Sequence, residues 1–340
     1  MKKTIILICL VAIFCSLSVK AIHVQTPRID GEAYILQTYK TCNIIGISEG
    51  LHGLENSHSF FKKLFENTEF QKTVNVIIVE FGSIGYQDIL DKYIAGEKVD
   101  INGLQKVWRE SGGNTTGNWD RRMYFELLQQ IRNINNNLPW DKRIRVLAAD
   151  PAIDWKSVNT IQDYFKYLPQ RDLSPAHLAI EYGITRNQKV LIIYGGTHFS
   201  KLSDEKLDSS YWSITTVVNK RKPGSMKVIE ILNPDNFSID KQTKKWALNS
   251  IIDLHTNRLG DSSSEKLFPE TVNQKGEKVI PFAGYKIRDL YDAFLYVGAS
   301  KSWKIADIPK SVFADDDYWK ELNRRSKIVW GQPLDEQLRK

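Results

Sequence analysis

Cysteine is scarce: three in 340 residues, two of which, Cys9 and Cys15, fall in the first apolar run. With that run removed, Cys42 stands alone, which excludes an intramolecular disulfide framework and any cysteine-based zinc module. Cys42 lies among apolar neighbours and reads as a small buried hydrophobe, not a nucleophile. Beyond the first apolar run no stretch approaches the roughly 20 apolar residues of a membrane span, so no integral membrane segment is expected after it. Charge of one sign is also lacking. The net +7 includes Lys2, Lys3 and Lys20, and without them the remainder carries +4, dispersed along the chain. That excludes a nucleic-acid footprint. Low-complexity tracts are absent, as is the close-spaced HExxH signature of a zinc hydrolase.

What is present begins with Lys2-Lys3, an uncharged apolar run from Ile5 to Val19, and Val19-Lys20-Ala21. This is the pattern of a secretory signal peptide over residues 1–21, which makes the expected product exported, periplasmic or secreted. Residues 22–340 are expected to form one domain, since 42% apolar and 26% charged residues are ordinary globular values.

Four short β-branched runs, Cys42–Ile47, Val74–Val79, Ile144–Ala149 and Val190–Tyr194, read as strands buried on both faces. Between them, apolar residues at helical spacing mark helices around Leu54–Phe65, Tyr86–Tyr93, Met123–Ile134 and Val158–Leu168. Trp212–Val218, Lys227–Ile231 and Ala293–Val297 read as further strands, Asp261–Lys278 as a loop, and the chain after 315 as a surface helix. Strands alternating with helices predict an α/β fold with a largely parallel central sheet, flanking helices and a helical insertion at about 81–140.

In an open parallel sheet, ligands bind outside the carboxyl ends of the strands. Glu49 with His52, Glu80, Asp150 and His198 follow directly on the four best strands, so residues distant in sequence are expected to meet there. The competing reading is that Glu80 and Asp150 merely cap the helices that follow. Arg121, at the start of a helix in the insertion, could meet an anionic substrate or be a solvated helix end. Gly46-Ile47-Ser48-Glu49-Gly50 also fits the G-x-S-x-G nucleophile elbow, although Ser48 lies on the first strand whereas an elbow follows several. Asn43–Gly53 and Leu191–Phe199 echo each other: an apolar strand, then x-Gly-x-His. His23, His58, His177 and His255 read as surface or packing residues.

The segment Ile45-Gly46-Ile47-Ser48-Glu49-Gly50-Leu51-His52-Gly53-Leu54-Glu55 resembles the Gly-Glu-x-x-His-Gly-x-x-Glu opening of the erythromycin esterase-like proteins. Ile77–Glu80, Asp91–Gly96 with Trp108, Leu147–Asp150 and Tyr291–Tyr296 resemble later elements in matching order. That family is related by fold to the Tiki/TraB and ChaN-like group. The resemblance implies a hydrolase with a small-molecule substrate. His52 would be the general base for water, Glu49 and Glu80 would orient or polarise it, and His198 would be a second acid/base or binding group; Asp150 and Arg121, by their positions alone, are the candidates to face the substrate. Ser48 stands where the family has glycine, and Gly195-Gly196-Thr197-His198 replaces its His-Asn-x-His. An ester, lactone or amide is therefore expected in place of a macrolide specifically. The Tiki likeness implies a divalent metal, zinc or manganese, on Glu49, His52, Glu80 and His198. The ChaN likeness implies haem or metal capture instead, and a non-catalytic relative is the third possibility.

Overall fold

The computed structural model describes residues 24–27, 29–201, 212–268, 270–272, 278–280 and 282–339. The expected signal peptide and His23 lie outside the described residues. The strands are β1 (Ile29–Asp30), β2 (Ile44–Ser48), β3 (Val76–Ser83), β4 (Arg145–Asp150), β5 (Val190–Tyr194), β6 (Met226–Ile231), β7 (Ser250–Asp253), the short pair β8 (Thr271–Val272) and β9 (Lys278–Val279), and β10 (Ala293–Tyr296). Eight of them form one sheet in the order β1-β7-β10-β6-β2-β5-β3-β4. From β10 to β4 all neighbours are parallel, while β7 is antiparallel to both β10 and β1.

The four expected central strands are where their composition puts them, because both faces of the sheet are covered. Every residue of β2, β3 and β5 is buried. Ile45, Ile47, Ile77 and Val79 face one apolar layer with Phe61 and Leu64 of the helix Glu55–Glu66 and with Leu127 and Leu128 of Arg122–Asn136. Ile44, Val76, Ile78 and Val190 face the other, with Ala176 and Ala179 of Gln170–Ala179 and Val218 of Ile214–Arg221. The result is a helix–sheet–helix sandwich, the α/β architecture expected of a parallel sheet. Between β3 and β4 the chain forms three helices, Gln87–Ile94, Ile101–Arg109 and Arg122–Asn136, which constitute the helical insertion. No helix among the described residues is long and apolar enough to cross a membrane.

Three elements differ from expectation. Trp212–Val218 is not a strand: Ser213 caps a helix, Ile214–Arg221, its hydroxyl accepting from the Thr216 amide. The β-branched run suits a strand locally, but Ile214 and Val218 fall on one helical face and are buried against the sheet, so packing overrides propensity. The Val158–Leu168 helix contracts to Ile161–Phe165, because the Thr160–Asp163 capping box starts it after Val158. The C-terminal helix, Asp316–Trp330, is not only superficial. Trp319, Leu322 and Arg325 are buried, with the Arg325 guanidinium 4.4 Å from the Trp155 ring centre.

Candidate functional site

β2 lies between β5 and β6, and β5 lies between β2 and β3, so the carboxyl ends of four parallel strands adjoin. Where β2 stops, the Glu49 amide donates to the Tyr194 carbonyl at 3.0 Å, tying the turn to the end of β5. Gly50 and Gly53 take the left-handed backbone (φ +73° and +83°) that folds the turn back into the helix Glu55–Glu66. Glu49 is consequently buried. One of its oxygens is 2.6 Å from His52 Nδ1, and the other accepts from the Tyr124 hydroxyl at 3.0 Å and lies 3.6 Å from His58 Nε2. Burial alone would raise the Glu49 pKa, but its bonds to His52 and His58 reverse this and hold it below the ordinary carboxylate value. His52 keeps 38% of its side chain exposed and meets the edge of Trp119 with ring centres 4.5 Å apart. Burial pulls the His52 pKa down, and the Glu49 carboxylate, seconded by Glu80, lifts it above the usual histidine value.

The other half of the site hangs on β3, β4 and β5. The register between β3 and β4 shifts between Val79 and Ser83, and Glu80 sits on this irregularity. One Glu80 oxygen accepts from Arg171 Nη2 at 2.6 Å and lies 3.6 Å from His198 Nε2; the other accepts from the Gly195 amide at 2.7 Å. Arg171 also donates through Nε to Asp150 at 2.8 Å. His198 Nδ1 lies 2.8 Å from Asp172 Oδ1. Burial disfavours the imidazolium of His198, but Asp172 and Glu80 outweigh it and push the group up to about 10. His198 foremost, with His52 and Arg171, overcomes the burial of Glu80 and holds its carboxyl far below the ordinary range.

The two halves face each other across Gly195. A Cβ on that residue would stand 3.5 Å from Glu80 Oε2, 3.5 Å from His198 Cδ2 and 3.6 Å from His52 Cε1. Glu49, His52, Glu80 and His198 thus occupy one rim.

The other expected site residues play different parts. Asp150 is fully buried, with one oxygen on Arg171 and the other accepting from Ser111 Oγ at 2.5 Å and the Gly113 amide at 2.8 Å. It anchors Arg171 and has no oxygen left toward substrate. Arg121 packs across Gly53 and donates to the Ala306 carbonyl at 2.7 Å and to Asn118 at 2.9 Å. It braces the His52 turn and is not presented to a substrate. The cation that belongs to the site is Arg171. Its only sequence signal, and that of Asp172, is a charged pair on a helix after β4. Of the two readings of His58, surface or packing, the structure shows packing: it is buried behind Glu49. Ser48 is buried within β2, its hydroxyl accepting from the Gly50 amide at 2.9 Å, which is not the exposed nucleophile of an elbow.

Glu49, His52 and Glu80 offer ligand atoms within 4.8 Å of one another, a spacing that a metal ion would accept. Their partners argue against one. Each oxygen of both carboxylates already accepts a hydrogen bond, His52 Nδ1 is engaged, and Arg171 with a protonated His198 supplies positive charge beside them. A divalent cation here would have to share or displace these partners.

No family model matches the chain, and no curated protein does. Two solved structures are similar in fold. One is a Bacillus cereus protein, at 10% identity and a TM-score of 0.52 over 82% of this chain and 95% of the other. The second is a succinoglycan biosynthesis protein, at 10% identity and a TM-score of 0.56 over 84% of this chain and 96% of the other. The likeness is one of fold alone.

Proposed function

We propose that this chain is an exported, metal-independent hydrolase of the erythromycin esterase-like kind, acting on an ester, lactone or amide of a small molecule. The observation that carries the reading is the Glu49–His52 pair set opposite the His198–Glu80–Arg171 group across Gly195. With Nδ1–H directed at Glu49, the His52 tautomer leaves Nε2 to accept a proton. A water at that nitrogen gives its proton to His52 as its oxygen bonds the substrate carbonyl carbon. His198, carrying the proton that Asp172 and Glu80 stabilise, is a suitable donor to the oxyanion that forms. When the carbon–oxygen or carbon–nitrogen bond breaks, the His52 imidazolium returns its proton to the leaving group. No serine or cysteine nucleophile is required, in keeping with the burial of Ser48 and Cys42.

The test is turnover of a p-nitrophenyl ester and lactone panel by the wild type and by His52→Ala. General-base catalysis contributes about 10²–10⁴-fold, and a loss of that order is expected with the far-UV circular dichroism unchanged. Turnover that survives the substitution, or a Soret band that forms on adding haem and disappears in His52→Ala, would overturn the hydrolase reading.

A further inference from the structure

Glu230, near the end of β6, is a carboxyl group that the reaction above leaves unused. Its Oε1 accepts from the Ile231 amide at 2.8 Å, and the Ser48 hydroxyl is within hydrogen-bonding reach. Gly196 runs directly over it: a Cβ there would collide with the carboxyl oxygens, so the absence of a side chain at 196 is what leaves room for Glu230. Burial pushes this carboxyl up to about 7, with Ser48 and the Ile231 amide opposing the shift.

Glu230 lines a pocket of about 330 Å³ whose walls include Gly50, from the His52 turn, and Gly196, from the His198 turn. The two loops that carry the catalytic imidazoles therefore also form one side of this pocket. Trp303, Asn233 and Asn236 are among the other lining residues, and among the described residues no lysine or arginine is. That combination is selective. An anionic group would meet the ionised Glu230 with no cation among the described lining residues to balance it, and a purely apolar group would leave the remaining hydrogen-bonding capacity of the carboxyl and amides unused. An aromatic side chain together with planar hydrogen-bonding groups suits a ring that is apolar on its face and polar at its rim.

We propose that this pocket is the subsite for a neutral, polyhydroxylated portion of the substrate, with Glu230 positioning its hydroxyls and Trp303 supporting its ring. That the group belongs to a substrate rests on the hydrolase reading; its binding does not. Methyl glucoside, methyl galactoside and the corresponding uronic acids serve as probes, followed by saturation-transfer NMR at about pH 8.5, above the Glu230 value of about 7 so that its carboxylate is ionised. The neutral glycosides are expected to bind the wild type and His52→Ala alike, and the uronates to bind neither. Glu230→Leu and Trp303→Ala should each weaken glycoside binding at least about tenfold, or about 1.4 kcal/mol, while Glu230→Gln retains much of it. Trp303 lies at the pocket wall outside the sheet, so its variant keeps the test open should Glu230→Leu disturb β6. Failure of the glycosides to bind the wild type, uronates binding equally well, or binding unchanged in both variants would overturn the subsite. None of these results depends on ester turnover, and loss of the hydrolase reading through His52→Ala leaves them standing.

Discussion

The two ends of the site are written in nearly the same local pattern and emerge chemically opposed. β2 and β5 each run into a glycine-containing turn that presents a histidine, and each histidine sets Nδ1 against a carboxylate, at 2.6 Å for His52 and 2.8 Å for His198. What differs is the rest of the shell. His52 keeps 38% of its side chain in contact with solvent, and its carboxylate is shared with Tyr124 and His58. His198 keeps only 16% and has a second carboxylate, Glu80, at 3.6 Å from its other nitrogen. Two carboxylates close around one enclosed imidazole stabilise the cation, whereas His52 is bonded to one shared carboxylate, with Glu80 acting from farther off and Arg171 opposing it. The acid and base roles proposed above would follow from these environments and not from the residue type.

The comparison depends on Glu80 remaining ionised, and Arg171 adds to His198 and His52 in holding it so while also pairing with the buried Asp150. Arg171→Met should therefore be the most damaging change outside His52. It leaves the buried Asp150 without its cation and Glu80 with only the histidines, and breaking a buried ionic group of this kind costs about 3–5 kcal/mol, to be read from urea unfolding at neutral pH. The pH dependence gives a sharper signature. In the wild type the Glu80 pKa is depressed, so its stabilising contribution is present above the unfolded carboxylate value and is lost as pH falls. In the variant Glu80 has lost one of its cations and titrates at a less depressed value, so the gap between the two proteins should narrow toward acid pH. An undiminished gap at low pH would mean that Arg171 contributes packing and little charge.

A smaller change should move one histidine toward the other. Asp172 is the strongest of the groups that lift His198. Asp172→Asn should lower the pKa of His198 from about 10 by about one to three units, the usual effect of a neighbouring opposite charge. The titration of its ring proton by NMR measures this directly. In turnover, the wild-type profile should rise as His52 loses its proton, at a pH above the ordinary histidine value, and fall again near pH 10. In the variant the falling limb should shift toward neutral pH while the rising limb stays. Movement of both limbs together would show that the two imidazoles do not act separately.

How much of this could be read beforehand depended on whether local chemistry or distant packing made the decision. The central strands were legible because a strand covered on both faces has to be apolar throughout, and β2, β3 and β5 are. Glu49, His52 and His198 were legible by the strand-end rule. Glu80 was named by it too, though its aim depends on a register shift that no residue type announces. Asp150 satisfied the same rule and yet serves inward, because Ser111, Gly113 and Arg171 all come from elsewhere in the chain. Arg171 and Asp172 lie on a helix with no periodic or motif signal of their own. Arg121 was drawn toward substrate by its place in the insertion, whereas its guanidinium is claimed by Ala306, 185 residues away. Ile214–Val218 has strand propensity, and only the Ser213 cap and burial on the sheet make it helical.

The smallest expected effect discriminates most between two ways of using the same residues. If Glu49, His52 and Glu80 were metal ligands, a chelator would abolish turnover and zinc or manganese would restore it. The hydrogen bonds argue for the opposite outcome. A cation entering here would have to compete with the Tyr124 hydroxyl and His52 at Glu49, and with Arg171 and the Gly195 amide at Glu80. It would also sit beside an imidazolium that is already balanced by its own carboxylates. Like charge disfavours the ion at close range, and the carboxylates would give up bonds made in a largely enclosed site. Dialysis against a chelator should therefore leave both turnover and thermal stability where they were. Loss of turnover that zinc or manganese reverses would convert the two unlike histidines into members of one coordination sphere, and the contrast between base and acid would no longer describe the site.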